Sequence, residues 1–342
     1  MSEQGGGDSP DQTQQQAVRS AQERTLGLYH QLMQINAASH LIRSLRKLGL
    51  VDALREQQCT LEQLCAPKSL DAEIVREILD AAVAIGIVEQ YQEDYALSRA
   101  AHLLCQYDHD LADSRWERLV GLAQGELSRE SHDVRSHQDQ LAATQWIHTP
   151  AAMEAAEVLD FGGDSSGQKL EILDLGCGSA VWSSAMAYRN PNAHITAVDH
   201  EAALEAAVST AKSIGLEDRF QAVSADPAEV ELEHDQYDGV VIAQRLSGIG
   251  IEEAESFLAR AVKFLKVGGR LAVIDLFDMG GKVTLVDRLE SLRLKLETSR
   301  GSIISPPQLQ SQLASCGLVN CQFALLSKDR AKFGVVVGKK EA

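Results

Sequence analysis

Apolar residues near the start of the chain recur at helical spacing. Leu28, Leu32, Ile35, Ala38, Ile42, Leu45 and Leu48 fall three or four apart between Leu26 and Leu50, which predicts one amphipathic helix stopped near Gly49. Shorter segments follow: a helix over 50–55, a second from Thr60 with Glu62 and Gln63 in its first turn, and a third over 70–84 that Gly86 ends. Two strand-like runs, 87–91 and 95–97, are joined by the polar turn Gln92-Glu93-Asp94.

Helix, helix, helix, hairpin is the order of a winged helix, so residues 21–105 are expected to form one α-rich domain. Residues 1–20, rich in Gln, Gly, Asp and Ser, bury too little to offset their ordering entropy and read as a disordered tail. A helical linker is expected over 106–165, including the polar stretch 128–140. Gly162 to Gly167 has linker chemistry. From 166 to 342 the pattern changes to short, continuously apolar runs alternating with helical segments: 170–175, 194–198, 220–223, 239–243 and 271–276. Fully apolar strands separated by helices predict an α/β fold with a doubly wound, mostly parallel sheet. The runs 319–326 and 333–337 are separated by too few residues for a parallel crossover, so the last strand is expected to be antiparallel.

Length and charge narrow the function. The chain has 342 residues, long enough for two domains. Its 49 acidic against 32 basic residues give a formal charge of -17, which repels nucleic acid and anionic membranes. From Asp71 to Tyr95, the would-be recognition helix and wing, acids stand at 71, 73, 77, 80, 89, 93 and 94 against one base, Arg76. No nucleic-acid partner and no membrane partner are expected. The six cysteines show no Cys-x-x-Cys pair, so no metal site is predicted and free thiols are expected. No apolar run suits a membrane helix or a signal peptide, which makes a cytoplasmic protein the expectation.

The chemistry concentrates at Asp174-Leu175-Gly176-Cys177-Gly178-Ser179-Ala180, where the first apolar strand turns into a helix. Two glycines there let a ligand approach the backbone, and such turns lie at the ligand-binding edge of a parallel sheet. A dinucleotide fingerprint needs a third glycine or alanine where Val181 stands, so NAD is disfavoured. Asp174 would hold a cationic group and repel a pyrophosphate. S-adenosylmethionine, with its ammonium and sulfonium, fits better. Asp199, 23 residues after Gly176, ends the second strand where a carboxylate accepts ribose hydroxyls. His200 is placed to lie against adenine, and Asp226 to take its exocyclic amine or simply to cap the next helix. Gln244, ending the fourth strand, is counted with the cofactor contacts, as is the backbone at Cys177.

With these segments in order, EILDLGCGSA (171–180), AVDH (197–200), SADP (224–227), YDGVVIA (237–243) and KVGGRLAVID (266–275), residues 25–340 resemble the class I S-adenosylmethionine-dependent methyltransferases. Within them the chain is similar to the small-molecule O-methyltransferases with an N-terminal winged-helix dimerisation domain. The resemblance implies a Rossmann-like fold, a homodimer, and transfer of a methyl group to a hydroxyl of an aromatic or polyketide-like acceptor. It also implies that Asp174, Gly176 and Gly178 hold the amino acid part of the cofactor, Asp199 and His200 its ribose and adenine, and Asp226 its adenine edge. Many members carry a histidine base shortly after the fourth strand, and here that position is Ser247 or Gly248. No catalytic residue is assigned. The gap leaves room for a relative that binds the cofactor without transferring methyl, and Gln244 and Arg245 stand where a substitute base would be sought. His148, between Trp146 and the family's acceptor-wall helix carrying Met153, is another candidate, and these three are the expected acceptor-pocket residues.

Overall fold

The computed structural model describes residues 10–102, 113–128, 142, 144–161, 169–281, 283–326 and 333–341. The chain divides into two compact units, Met1–Asp113 and Ser114–Ala342. The described helices of the expected linker therefore group with the second unit. The glycine-rich segment 162–167, most of the polar stretch 128–140 and the connection 327–332 lie outside the described residues.

In the first unit, α1 (Pro10–Lys47) begins well before Leu26 and takes in half of the expected tail. A composition too polar to bury is still compatible with a helix. Gln, Glu, Arg and Ala are good helix formers, and Pro10 occupies a first helical position, where its missing N–H is not needed. Next come α2 (Leu50–Glu56), β1 (Cys59–Thr60), α3 (Leu61–Cys65), α4 (Ala72–Ala84), β2 (Val88–Tyr91) and β3 (Asp94–Leu97). Thr60 starts α3 through a reciprocal capping box with Gln63, and Asp71 starts α4 by accepting from the N–H groups of Glu73 and Ile74. β3 pairs antiparallel with both β1 and β2. Leu45, Leu54, Leu64, Val75, Leu79 and Val88 fill the core between helices and sheet.

The second unit is built on a seven-stranded sheet of order β6-β5-β4-β7-β8-β10-β9. Its strands are β4 (Leu170–Leu175), β5 (Ala193–Asp199), β6 (Phe220–Ser224), β7 (Tyr237–Ala243), β8 (Leu265–Leu276), β9 (Leu318–Leu325) and β10 (Phe333–Lys340). β4 to β8 run parallel, and β10 is antiparallel to both neighbours, as the short final connection requires. Around the sheet lie α5 (Asp113–Gln124), α6 (Thr149–Leu159), α7 (Val181–Arg189), α8 (Glu201–Ser213), α9 (Leu246–Ile249), α10 (Ile251–Phe264), α11 (Leu285–Glu297) and α12 (Pro306–Ser315). One sheet face is buried under Ala152, Trp182, Met186 and Ala207, the other under Phe257, Leu258, Leu309 and Leu313. Burial on both faces is why the parallel strands read as unbroken apolar runs.

Arg219, in the turn before β6, donates from Nη1 to the carbonyls of Ala187, Asn190 and Ala193 at 3.0, 3.1 and 2.8 Å, tying the end of α7 to the start of β5. Arg219→Ala is expected to cost about 2 kcal/mol of stability, the loss of charge-assisted hydrogen bonds. Urea unfolding of the full chain measures it, and a cost below about 0.5 kcal/mol would refute the assignment.

Candidate cofactor site

At β4 the strand order reverses, with β5 on one side and β7 on the other. Open α/β sheets take their ligands at the carboxyl ends of strands at such a point. The loop leaving β4 is left-handed at Gly176 (φ 76°), Gly178 (φ 55°) and Ala180 (φ 53°), so the chain folds tightly over the strand end before α7 begins. The N–H of Gly176 donates to Val198 O at 2.9 Å, binding the loop to the end of β5.

Two carboxylates lie beneath this loop. Asp199 is fully buried, and its Oδ2 accepts from Gly178 N at 2.9 Å while its Oδ1 accepts from His200 N at 2.8 Å. Asp174 is also buried. Its Oδ2 accepts from the Ser183 hydroxyl, but its Oδ1 has no hydrogen-bond partner. Burial pushes the Asp174 carboxyl up to about 7; the Ser183 hydrogen bond opposes this and the charge of Asp199 adds to it. Cys177 is buried with its thiol pushed well above the ordinary range by burial and by the two aspartates, so it is no nucleophile.

Above the glycines stand two polar side chains, Arg245, expected only as a candidate substitute base, and Gln145, which the sequence motifs do not single out. A Cβ on Gly176 would come within 2.6 Å of Arg245 Cδ, and one on Gly178 within 2.5 Å of Gln145 Oε1. Arg245 is buried with Nε and Nη1 unpartnered; its Nη2 lies 3.9 Å from Asp226 Oδ1 and its guanidinium packs over the Phe257 ring. Burial lowers its pKa, and the charges of Asp199, Asp226 and Cys177 oppose that. Gln145, on a single 3-10 turn (Gln145–His148), reaches 34 residues along the chain to Ser179. A lone glutamine before Trp146 carries no periodic signal, so only the fold reveals it.

Asp226 is exposed and its Oδ1 accepts from Ala228 N at 2.8 Å in a turn, with no helix there for it to cap. His200 opens α8, half-buried. Gln244, expected among the cofactor contacts, accepts from Trp182 Nε1 at 3.1 Å because its left-handed backbone (φ 55°) turns the side chain onto α7. His148 stacks near Trp182 and packs at 4.5 Å on the Phe333 ring; burial pushes it down to about 4, so its imidazole is neutral at pH 7. Trp146 is half-buried and Met153 lies on the exposed side of α6. None of these three lines the nearby cavity of about 220 Å³ at the end of β8, which is walled by Leu276, Phe277, Val286, Glu290 and Ile303. Ser247 is buried, and its N–H donates to Asp275 Oδ2 at 2.9 Å. Among the described residues no group of three or more metal-ligating side chains occurs.

The raised Asp174 carboxyl makes stability depend on pH. Between 3.8, its ordinary value, and about 7 the folded chain holds a proton that the unfolded chain has released, so stability falls as pH rises through that window. Asp174→Asn is expected to flatten the fall and to be the more stable form at alkaline pH. Thermal unfolding of both forms from acid to alkaline pH tests this, and parallel curves would count against it.

Residues 172–269 match the family model described as "Methyltransferase domain". Among curated proteins, the chain is similar to the N,N-dimethyltransferase OxyT of Streptomyces rimosus, 24% identical over 314 residues, which span 84% of this chain and 89% of that protein. Among solved structures, a putative O-methyltransferase from Nostoc punctiforme superposes with a TM-score of 0.69 at 19% identity, covering 92% of this chain and 98% of the other. Human N-acetylserotonin methyltransferase in complex with S-adenosylmethionine superposes with a TM-score of 0.64 at 16% identity, covering 99% and 100%. At such identities the superpositions speak for the fold.

Proposed function

We propose that this chain, a class I S-adenosylmethionine-dependent methyltransferase by its second unit, methylates a small acceptor held at the carboxyl edge of the sheet, on a hydroxyl of an aromatic or polyketide-like compound. One observation carries the site assignment: the unpaired, buried Oδ1 of Asp174 beside two left-handed glycines at the switch point. A buried carboxylate oxygen without a donor calls for one, and the ammonium of the cofactor's amino acid end is such a donor. Each Asp199 oxygen accepts one backbone hydrogen bond and retains a second lone pair for a ribose hydroxyl. His200 and Asp226 stand on the adenine side. Arg245 lies where the nucleoside would pass over Gly176, so binding turns its guanidinium toward Asp226 and Phe257, with which it is already in contact.

Bound there, S-adenosylmethionine supplies an electrophilic methyl on a positively charged sulfur. The protein's part is to orient the acceptor and exclude water. Proton removal has no residue at the family's usual position, where Ser247 and Gly248 stand. A hydroxyl acidic enough to ionise unaided suits this site. An amine is the second reading, favoured by the same absence and by OxyT, which is named an N,N-dimethyltransferase.

The first unit has the helix and strand order of a winged helix, and Leu28, Leu32 and Ile35 of α1 are each at least 50% exposed. Two chains would pair through this face. Sedimentation of the full chain is expected to give a dimer.

Methyl-labelled S-adenosylmethionine incubated with phenols, hydroxyquinones and aromatic amines is expected to give labelled product. Asp199→Ala is expected to weaken cofactor binding by about 100-fold, as for a charged group with two hydroxyl partners. Binding without turnover on any acceptor would overturn the hydroxyl and amine readings, and unchanged binding by Asp199→Ala would overturn the site.

A further inference from the structure

Gln145 combines a fixed amide orientation with an unused donor. Its Oε1 accepts both the backbone N–H of Ser179, at 2.9 Å, and the Ser179 hydroxyl, at 3.2 Å. Two donors aimed at one amide atom identify it as the oxygen, so Nε2 is the opposite end. That Nε2 is buried without a hydrogen-bond partner, on a residue 1% exposed, and lies 2.9 Å from where a Cβ on Gly178 would stand. Besides the unpartnered Nε and Nη1 of Arg245 over Gly176, the glycine loop thus faces two unpaired buried polar atoms of opposite need near Gly178 and Ser183: an amide donor on Gln145 and a carboxylate acceptor on Asp174. A zwitterionic α-amino acid answers both at once, because it carries its carboxylate and its ammonium on a single carbon.

We propose that Gln145 holds the carboxylate of the cofactor's amino acid end through Nε2, opposite the ammonium at Asp174. This rests on the S-adenosylmethionine reading of the crevice and adds to it a recognition residue from outside the glycine loop. Oε1 keeps Ser179 in place, and Nε2 reads the ligand. Gln145 is therefore a specificity residue for ligands with an amino acid end over nucleosides without one.

The test compares two probes by calorimetry on the full chain: S-adenosylhomocysteine, which has the amino acid end, and 5′-methylthioadenosine, which lacks it. Gln145→Met removes donor and acceptor together. Gln145→Glu keeps an oxygen for Ser179 and sets a negative charge where the donor was. Both are expected to weaken S-adenosylhomocysteine by about 10- to 100-fold and to leave 5′-methylthioadenosine within about twofold. If Gln145→Met fails to fold, Gln145→Glu decides alone. Equal weakening of both probes would reduce Gln145 to a support for the loop and overturn the proposal, as would unchanged binding of S-adenosylhomocysteine. Wild-type protein that binds neither probe would strike the cofactor reading itself, a different failure from wild-type binding that the variants do not disturb.

Discussion

The backbone N–H of Gly178, donated to the buried carboxylate of Asp199, is the contact on which the site is built. It joins the turn after β4 to the end of β5 across the point where the sheet reverses its winding. For that N–H to face Asp199 the residue must adopt φ 55°, which a side chain resists, and the face a Cβ would occupy is filled by Gln145. Conformation and packing therefore select glycine at the same position. Its partner Gly176 meets the same double demand from φ 76° and from Arg245.

Charge is the second organising constraint. Two carboxylates and a guanidinium are buried within one crevice, and each would rather be hydrated. Asp199 is relieved by two backbone donors, whereas Asp174 has only Ser183 and so carries the raised pKa. Arg245 stands close to Asp199 and Asp226 without a hydrogen bond from Nε or Nη1. A site with unspent donors and acceptors is matched to a ligand that brings its own charges in fixed positions. That pattern separates it from the cavity at the end of β8, where Asp278, Asp287 and Lys295 already bond to nearby backbone.

The sheet was legible because burial on both faces turns each parallel strand into an unbroken apolar run, and because the last two runs are too close for a crossover. The glycine loop was legible because its constraint is local. What escaped was non-local or too short. β1, two residues long, exists only through pairing with β3, and α1 reaches back to Pro10 because a polar composition forbids burial but not helix. Gln145 meets the loop from 34 residues before Ser179 with no spacing to announce it, and Arg245, noticed only as a candidate base, reaches over Gly176 from the end of β7. Asp226 illustrates the reverse: two roles fitted its position, and no helix follows it to be capped, its Oδ1 accepting instead from Ala228 N within a turn.

At the end of β7, positions 247 and 248 hold a serine and a glycine, neither of which is a strong proton acceptor. Asp275, closing β8, spends one oxygen on the N–H of Ser247 and the other on its own neighbour Leu276, which fixes the α9 turn beside the crevice. Orientation of two reactants is worth roughly 7 to 11 kcal/mol, whereas a general base contributes about 10²- to 10⁴-fold, or about 3 to 5 kcal/mol. A site that holds acceptor and methyl donor in line therefore retains the larger share of catalysis without a histidine at 247 or 248. On the proposed reading the smaller share passes to the acceptor, whose lone pair is available on arrival. His148, packed beside Trp182 and Phe333, is a weakened base there, since burial lowers its pKa to about 4.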